Sequence, residues 1–542
     1  MDVQHRPQTW SNLGLDRYGL VASLDWAVVL TLTFLIVIGL GLRVSQLGAV
    51  GFAEDEINKL DAVHAYERGD FTANAEHPML MKVLMLISLH AAPNTSEEAA
   101  LRFPNALVGA LTVIPLFLLT AAFFDRWTAL LAAAFWAVGI NAITHNRIGK
   151  EDSLLVFFML FAFYFFLRAK QTTPLDKQFR LRNYIASAVS FGLMIASKYF
   201  PHYLGLNMLF HHNFHAHTPK PGEPGGKTPG LFFLLIVVVF LLASPAVLMP
   251  TVWQYMNDYM GERLLTHSGY LFAGQLYKNN MSSSPFWGTP IYFYLLFLLI
   301  KVPLLIVGSF LLGLVVSVKR RRTIGYAFLL FMFLFWIVPY SLIGGKWLRY
   351  TLSLMPIVYM LAAVGVVTLV AWIRSAFSGS KKTSFALSAV AIGIFLLVPT
   401  WIACSNGPHY SLYTNALAAN RAGYFFPHDE FYDDGLREAI KHVCEQAPVG
   451  STVAHETPGV VRHYLAAFDR RDLVSHPISA PDFNPANASG PVYVIAQRGR
   501  TYFENRDELD FVRSNFRKID EVKIEGLSAV EVFVNSDQNR AR

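Results

Sequence analysis

Two neighbouring carboxylates and a nearby lysine are the residues of this chain best suited to chemistry. Asp55 and Glu56 follow the first long apolar stretch, and the same loop continues into Glu76-His-Pro-Met-Leu-Met-Lys82. A carboxylate can serve as the general base that takes a proton from a hydroxyl or an amine, and Lys82 can bind a lipid phosphate. The structural alternatives are solvated carboxylates or a helix cap, and a lysine that extends to water from an interfacial helix over Met79–Ala91.

Further charged residues flank later apolar segments. They are Arg147, Glu151, Asp152, Lys198, Lys346 and Arg349. The positive-inside rule disfavours cations on the outer side of a membrane, so those predicted to lie there need a partner. A phosphate is suitable, because a guanidinium can bind two phosphate oxygens at once. Salt bridges to the nearby carboxylates, or plain capping of a helix start, are the alternatives.

A membrane must position these groups. Hydrophobic residues make up 54% of the chain and charged residues only 15%, with a mean hydropathy of +0.37, whereas soluble domains carry about 25% charged residues. The segment from about 26 to 47 is long enough to cross a bilayer, which takes roughly 20 apolar residues. We predict a polytopic, mainly α-helical bundle with about eleven spans. Their approximate ranges are 26–46, 103–123, 127–144, 151–168, 184–199, 201–215, 231–250, 289–317, 324–343, 350–373 and 384–403.

Charge asymmetry orients this bundle. With a cytoplasmic N-terminus, the cation-rich loops, including Lys319-Arg320-Arg321-Arg322, all fall inside, and the acidic loop around Asp55 falls outside. The chain is therefore predicted to be an integral protein of a bacterial inner or cell membrane. The net charge of +7 follows from this topology, and no nucleic-acid partner is expected.

The last segment changes character. We expect a membrane domain over residues 1–404 and a small extracytoplasmic α/β domain over 405–542. The latter has strands at 492–496 and 529–534 and a capped amphipathic helix that starts at Asp433. The two cysteines of the chain, Cys404 and Cys444, exclude a disulfide framework, and either one disulfide or two free thiols is compatible with the sequence.

Two loops have open interpretations. Four histidines at positions 211, 212, 215 and 217 could bind a metal, although a solvated flexible loop is the favoured interpretation. The aromatic loop at about 251–287 is either a lid over a lipid or sugar, or an interfacial belt.

Charges from five separated segments converge on the outer side, as expected when a helical bundle builds one site. A lipid-linked phosphate donor and a carboxylate base fit this set chemically. A transporter of a lipid or sugar-lipid is the alternative, but transporters place functional charges at the midplane and use broken helices in related halves, and the sequence shows no such halves.

In order along the chain, these elements resemble those of the GT-C superfamily of polyprenyl-phosphate-dependent glycosyltransferases, especially glycosyltransferase family 39 with its protein O-mannosyltransferases and lipid A aminoarabinose transferases. Asp55-Glu56 is similar to the family's acidic pair, and 76–82 to its His-Pro-Pro-Leu-Gly-Lys element, with Met79 and Met81 as departures. The remaining matching elements are Arg102-Phe-Pro-Asn, the stretch from Arg147 to Asp152, Ser197-Lys198-Tyr199 and Arg349-Tyr350-Thr-Leu-Ser-Leu-Met-Pro356.

The resemblance implies a transferase that moves a sugar from a polyprenyl-phosphate donor to an extracytoplasmic protein, lipid or glycan, with inversion. It implies a catalytic set in which Asp55 is the general base and Glu56 and Asp152 support positioning. The expected phosphate-binding cations are Lys82, Lys198, Lys346 and Arg349, and the expected substrate-positioning residues are His77, Arg102, Arg147 and Tyr350. No cofactor is certain, and a divalent metal is compatible. A catalytically inactive partner subunit is a further interpretation, against which the intact Asp55-Glu56 pair argues.

Overall fold

The membrane region consists of helices. The computed structural model describes residues 25–172, 176–214, 228–261, 268–280, 284, 286–486 and 490–535. Its first seventeen helices are α1 Trp26–Val44, α2 Glu54–Glu67, α3 Met79–Ala91, α4 Glu97–Leu111, α5 Val113–Phe123, α6 Arg126–Val138, α7 Ile140–Asn146, α8 Asp152–Gln171, α9 Lys177–Ser197, α10 His202–Asn213, α11 Gly230–Ala243, α12 Pro250–Met260, α13 Phe293–Ile300, α14 Leu304–Lys319, α15 Ile324–Leu342, α16 Met355–Ala376 and α17 Lys381–Ser405.

Several of these helices can cross a membrane. Within the described ranges, six are long and apolar enough: α1, α4 with α5, α8, α15, α16 and α17. A seventh span results if α6 and α7, which bend by 53° at their junction, count together. A mainly helical bundle is therefore confirmed, and the total of eleven spans stays a prediction.

The predicted spans 289–317 and 127–144 are each divided into two helices. The predicted span 289–317 is divided into α13 and α14, with Pro303 at the start of α14, because proline cannot donate an intrahelical hydrogen bond. The span at 127–144 breaks at Gly139, where a Cβ would overlap the Tyr359 hydroxyl of α16. This bend lets the chain pass close to α16 and leads through α7 to the charged loop after Asn146.

The C-terminal region is a small α/β unit. Its helices are α18 Pro427–Phe431, α19 Leu436–Gln446, α20 Pro458–Ala467 and α21 Arg506–Asn515. After the hairpin of β1 Tyr270–Phe272 and β2 Gln275–Tyr277, its strands are β3 Thr452–His455, β4 Val474–Pro477, β5 Val492–Gln497, β6 Arg517–Ile524 and β7 Leu527–Val534. The sheet order is β4-β3-β5-β7-β6, with β4, β3 and β5 parallel and the β5–β7 and β7–β6 pairs antiparallel.

The predicted strands at 492–496 and 529–534 agree with β5 and β7. The amphipathic helix is also present, but its predicted cap is wrong. Helix α19 starts after Gly435, which has a φ of 84°, and the side chains of Asp433 and Asp434 instead bind Arg500 and His409. The start of this helix is therefore set by a left-handed glycine and by tertiary ion pairs.

The remaining open interpretations concern cysteines and loops. Cys404 and Cys444 are both free thiols. His211 is buried beside Phe166 and Phe210, whereas 215 and 217 lie outside the described residues. In the loop at 251–287, α12 and the β1–β2 hairpin are described and residues 262–267 are not.

Candidate active site

Asp55 is the centre of the site. It lies in the first turn of α2, where a carboxylate is favoured by the helix dipole. Its Oδ2 accepts three hydrogen bonds from distant parts of the chain. Two come from cations, Lys150 Nζ at 2.5 Å and Arg349 Nη1 at 3.1 Å, and the third comes from the Tyr432 hydroxyl at 2.8 Å. The Asp55 side chain nevertheless remains 32% exposed, so a substrate can reach it.

The electrostatics keep Asp55 ionised. Burial acts to raise the pKa of the carboxyl, but the charges of Lys150 and Arg349 outweigh burial and hold that pKa well below its usual range. Conversely, burial, together with the charge of Arg349, lowers the pKa of Lys150 to about 8. The site thus presents an anion between two cations, one of which, Lys150, loses its proton only as the pH rises through about 8.

Glu56 has a different environment from its neighbour. It is 1% exposed, and its two oxygens accept hydrogen bonds from Arg102 Nε at 2.7 Å and Arg102 Nη2 at 2.6 Å. Glu56 also accepts hydrogen bonds from the backbone N–H groups of Gly149 at 2.7 Å and Ala53 at 3.1 Å. Glu56 therefore fixes the start of α2 against the loop that carries Lys150.

Asp152 and Lys198, both predicted site residues, contact each other. Lys198 Nζ lies 2.7 Å from Asp152 Oδ1, and both side chains are less than a tenth exposed. The same ammonium lies over the rings of Phe200 and Tyr350, 4.6 and 5.0 Å from their centroids. In this conformation Lys198 therefore forms a salt bridge with a nearby carboxylate, which was the structural alternative to a phosphate contact. The Lys198 ammonium also brings Tyr350, another predicted site residue, into the same cluster.

A second buried ion pair lies beside it. Lys59 Nζ is 2.9 Å from Glu151 Oε1, and His77 Nδ1 is 3.8 Å from Glu151 Oε2. The neighbouring carboxylates Glu151 and Asp152 therefore each have a separate lysine partner. This arrangement links α2, the loop after it and the start of α8.

Three further predicted cations donate to backbone carbonyls. Lys82 Nζ binds the oxygens of Asn74 at 2.7 Å and His77 at 2.9 Å, and Lys346 Nζ binds those of Thr289 at 2.6 Å and Ile343 at 2.5 Å. Arg147 similarly donates to the carbonyls of Arg43, Ser45 and Gln46. In this conformation these side chains hold loops together, and their contact with substrate stays a prediction.

Sequence reasoning missed Lys150, Lys59 and Tyr432. A signal for Lys150 existed, because it stands directly before Glu151 and Asp152 on the side where a cation is unexpected. No local signal marks Tyr432, which is 377 residues from Asp55 along the chain. Among the described residues, no group of three or more His, Cys, Asp or Glu side chains is placed to hold a metal ion.

Part of the chain matches a known protein family. The family model described as dolichyl-phosphate-mannose-protein mannosyltransferase matches residues 76–249. No curated protein sequence matches the chain significantly.

Two solved structures share the fold. The apo structure of ArnT from Cupriavidus metallidurans is 12% identical, with a TM-score of 0.51, over 94% of this chain and 98% of that one. The oligosaccharyltransferase AglB from Archaeoglobus fulgidus, in complex with an inhibitory peptide and a dolichol-phosphate, is 13% identical, with a TM-score of 0.52, over 95% of this chain and 75% of that one. The resemblance predicted from the motifs is confirmed: the chain shares the fold of these two structures, and its residues 76–249 match the mannosyltransferase family model.

Proposed function

We propose that this protein transfers a sugar from a polyprenyl-phosphate donor to an extracytoplasmic acceptor, with Asp55 as the general base. One observation carries the proposal: the Asp55 carboxylate is held by donors from three distant elements and is still about a third exposed. A structural carboxylate would instead be enclosed, as Glu56 is.

The proposed reaction uses the second carboxylate oxygen of Asp55. All three hydrogen bonds to Asp55 go to Oδ2, which leaves Oδ1 for an acceptor hydroxyl or amine. The acceptor attacks the anomeric carbon, the bond from that carbon to the phosphate oxygen breaks, and the acceptor proton passes to Asp55. The polyprenyl phosphate leaves with the bonding electrons, and the single displacement inverts the anomeric centre.

The donor phosphate competes with Asp55 for cations. Lys150 and Arg349 contact Asp55 at 2.5 and 3.1 Å, and both can turn to a phosphate that arrives beside them. Such a transfer removes positive charge from Asp55 and raises its basicity when the acceptor must be deprotonated. The two cations also stabilise the leaving phosphate, an electrostatic role that often dominates catalysis.

The other cations predicted to bind the phosphate are less available for it than Arg349, because each is engaged by a partner away from Asp55. Lys198 would have to exchange Asp152 for the phosphate, and Lys82 and Lys346 would have to release backbone carbonyls. Glu56 and Arg102 position α2, and Asp152 positions Lys198. His77, Arg147 and Tyr350 are proposed to shape the walls of the substrate site.

The donor class is supported by the comparisons. The matching family model is named for a dolichyl-phosphate mannose, and the AglB neighbour binds a dolichol-phosphate. A lipid phosphate also fits a site at the end of membrane-spanning helices. The proposed acceptor is a protein, lipid or cell-surface glycan.

The proposal includes a topology. The N-terminus is proposed to be cytoplasmic and the domain over 405–542 extracytoplasmic, in a bacterial inner or cell membrane. Reporters fused after Arg542 and within the loop near Pro224 test it, with outside and inside locations expected respectively. A cytoplasmic signal from the reporter at Arg542 would contradict it, because Asp55 contacts Tyr432 of that domain.

A transfer assay tests the function itself. The purified full-length protein in detergent is given radiolabelled hexosyl and pentosyl polyprenyl phosphates together with a membrane extract as the source of acceptors. Release of free polyprenyl phosphate with labelled acceptor supports the proposal. Movement of intact donor across proteoliposomes without any transfer would favour the transporter.

A further inference from the structure

One short segment of the C-terminal region reaches the membrane region at many points. We define residues 427–434 as the bridging segment. Its Glu430 carboxylate pairs with Lys301 at 2.9 Å, and its Asp429 accepts the Tyr270 hydroxyl. Its Tyr432 donates to Asp55. The segment therefore contacts the membrane region through three side chains, and one of them, Tyr432, reaches Asp55.

The edge of the sheet adds a second contact with α2. Arg500 follows β5, and its guanidinium binds Glu54 at 2.6 Å and Asp433 at 2.5 Å. Asp433 Oδ2 also accepts the backbone N–H of Glu54 at 3.0 Å. In open α/β sheets, ligands bind outside the carboxyl ends of the parallel strands. Here the first turn of the Asp55 helix contacts that edge.

Tyr432 differs from the other two partners of Asp55. Lys150 and Arg349 are cations, so an anionic phosphate competes with Asp55 for them, whereas a phenol carries no charge for the phosphate to attract. Burial, aided by the negative charge of Asp55, raises the pKa of Tyr432 well above its usual value. Its hydroxyl therefore keeps its proton and remains a donor while the cations are engaged elsewhere.

We propose that Tyr432 is a positioning residue for Asp55, through which the C-terminal domain completes the active site of the membrane domain. The inference rests on the proposed function, since it assigns Tyr432 a role in orienting the general base. The hydroxyl holds Oδ2, so that Oδ1 faces the acceptor during transfer.

The test compares Tyr432→Phe with Tyr493→Phe in the purified full-length protein. Both substitutions remove one hydroxyl from the C-terminal region, and Tyr493 donates only a long bond of 3.4 Å to the Gln446 carbonyl, away from the site. For Tyr432→Phe we expect kcat to fall about tenfold, with the donor KM within about twofold of wild type, because one hydrogen bond to a charged group is lost. Tyr493→Phe should leave both constants unchanged.

Both variants keep the aromatic ring, and thermal unfolding shows whether the fold is maintained without the hydroxyl. We expect the two variants to have equal melting temperatures. Should Tyr432→Phe fail to fold, Tyr432→Met fills the position with a flexible apolar side chain that donates no hydrogen bond, and the same fall in kcat with an unchanged KM is expected.

Two results would overturn the inference. The first is an unchanged kcat for Tyr432→Phe, whether or not its KM is raised. The second is an equal fall in kcat for Tyr493→Phe. Asp55→Asn, measured in parallel, separates the two proposals: if it loses transfer while Tyr432→Phe does not, only the role of Tyr432 is refuted. If Asp55→Asn transfers normally, the general base assignment is refuted, and the positioning role with it.

Discussion

Asp55 and Glu56 are neighbours on one helical turn, yet they have opposite environments. Asp55 is about a third exposed and directs one oxygen at donors from three elements. Glu56 is 1% exposed, with both oxygens bound to Arg102 and two backbone amides. Two carboxylates of the same chemistry are thus divided by the fold into one that can react and one that holds the first in place.

The same contrast extends to the cations. Arg349 has a carboxylate partner in the open part of the site, whereas Lys82 and Lys346 are enclosed and donate to carbonyls. A replaceable anionic partner, which Arg349 and Lys150 have in Asp55, is therefore the feature that we propose separates substrate-binding cations from those that hold loops. Charge and sequence motif alone do not make this distinction.

The largest expected effect on stability concerns Arg102. Arg102→Met leaves the buried Glu56 without its partner, and breaking a buried pair costs about 3–5 kcal/mol. Urea unfolding in detergent should show this loss, whereas Arg126→Met, at a pair in which both side chains are more than half exposed, should change stability by less than about 1 kcal/mol. Equal effects would mean that Glu56 and Arg102 do not anchor α2.

The next effect concerns donor binding. Arg349→Ala should weaken binding of a polyprenyl-phosphate sugar by about 1.5–3 kcal/mol, the contribution of a hydrogen bond to a charged group. The exposed Arg421, whose guanidinium lies over the Tyr424 ring, provides the control Arg421→Ala. Donor affinity equal to wild type in Arg349→Ala would remove Arg349 from the phosphate site.

A smaller effect concerns pH. The pKa of Lys150 is lowered to about 8 by burial and by the charge of Arg349. The charged form is needed to bind phosphate and is present below that pKa, so kcat/KM should decline as pH rises through about 8. Lys150→Arg should shift this decline to higher pH, since arginine stays protonated. A decline at the same pH in both proteins would assign it to another group.

The smallest effect concerns an exposed ion pair at the edge of the contact between the C-terminal region and α2. Arg462 and Asp61 form a pair 3.1 Å apart in which both side chains are more than half exposed. Arg462→Ala should therefore change transfer by less than about twofold and stability by less than about 1 kcal/mol. A large loss of transfer would show that domain docking depends on its rim rather than on the buried Arg500 and Asp433 cluster.

Sequence alone predicted the parts of this picture that depend on local pattern and order. It predicted the helical bundle and two strands of the C-terminal sheet, and it placed Asp55 and Arg349 in one outer site, although it assigned Arg349 to a phosphate and gave salt bridges to carboxylates as the alternative. It could not predict Tyr432 or Arg500 at the site, because their contacts with α2 join residues hundreds of positions apart. It also could not separate Lys82 from Arg349, since burial and partner choice are set by packing.

The central claim is that Asp55, and not Glu56 or Asp152, is the reactive carboxylate. It is tested most directly by single-turnover transfer of labelled sugar by Asp55→Asn, with donor binding measured on the same sample. A general base contributes about 10²–10⁴-fold to rate, so we expect a loss of that size. Donor binding should be kept or strengthened, because Lys150 and Arg349 lose a competitor. Transfer at nearly the wild-type rate by Asp55→Asn would contradict the account.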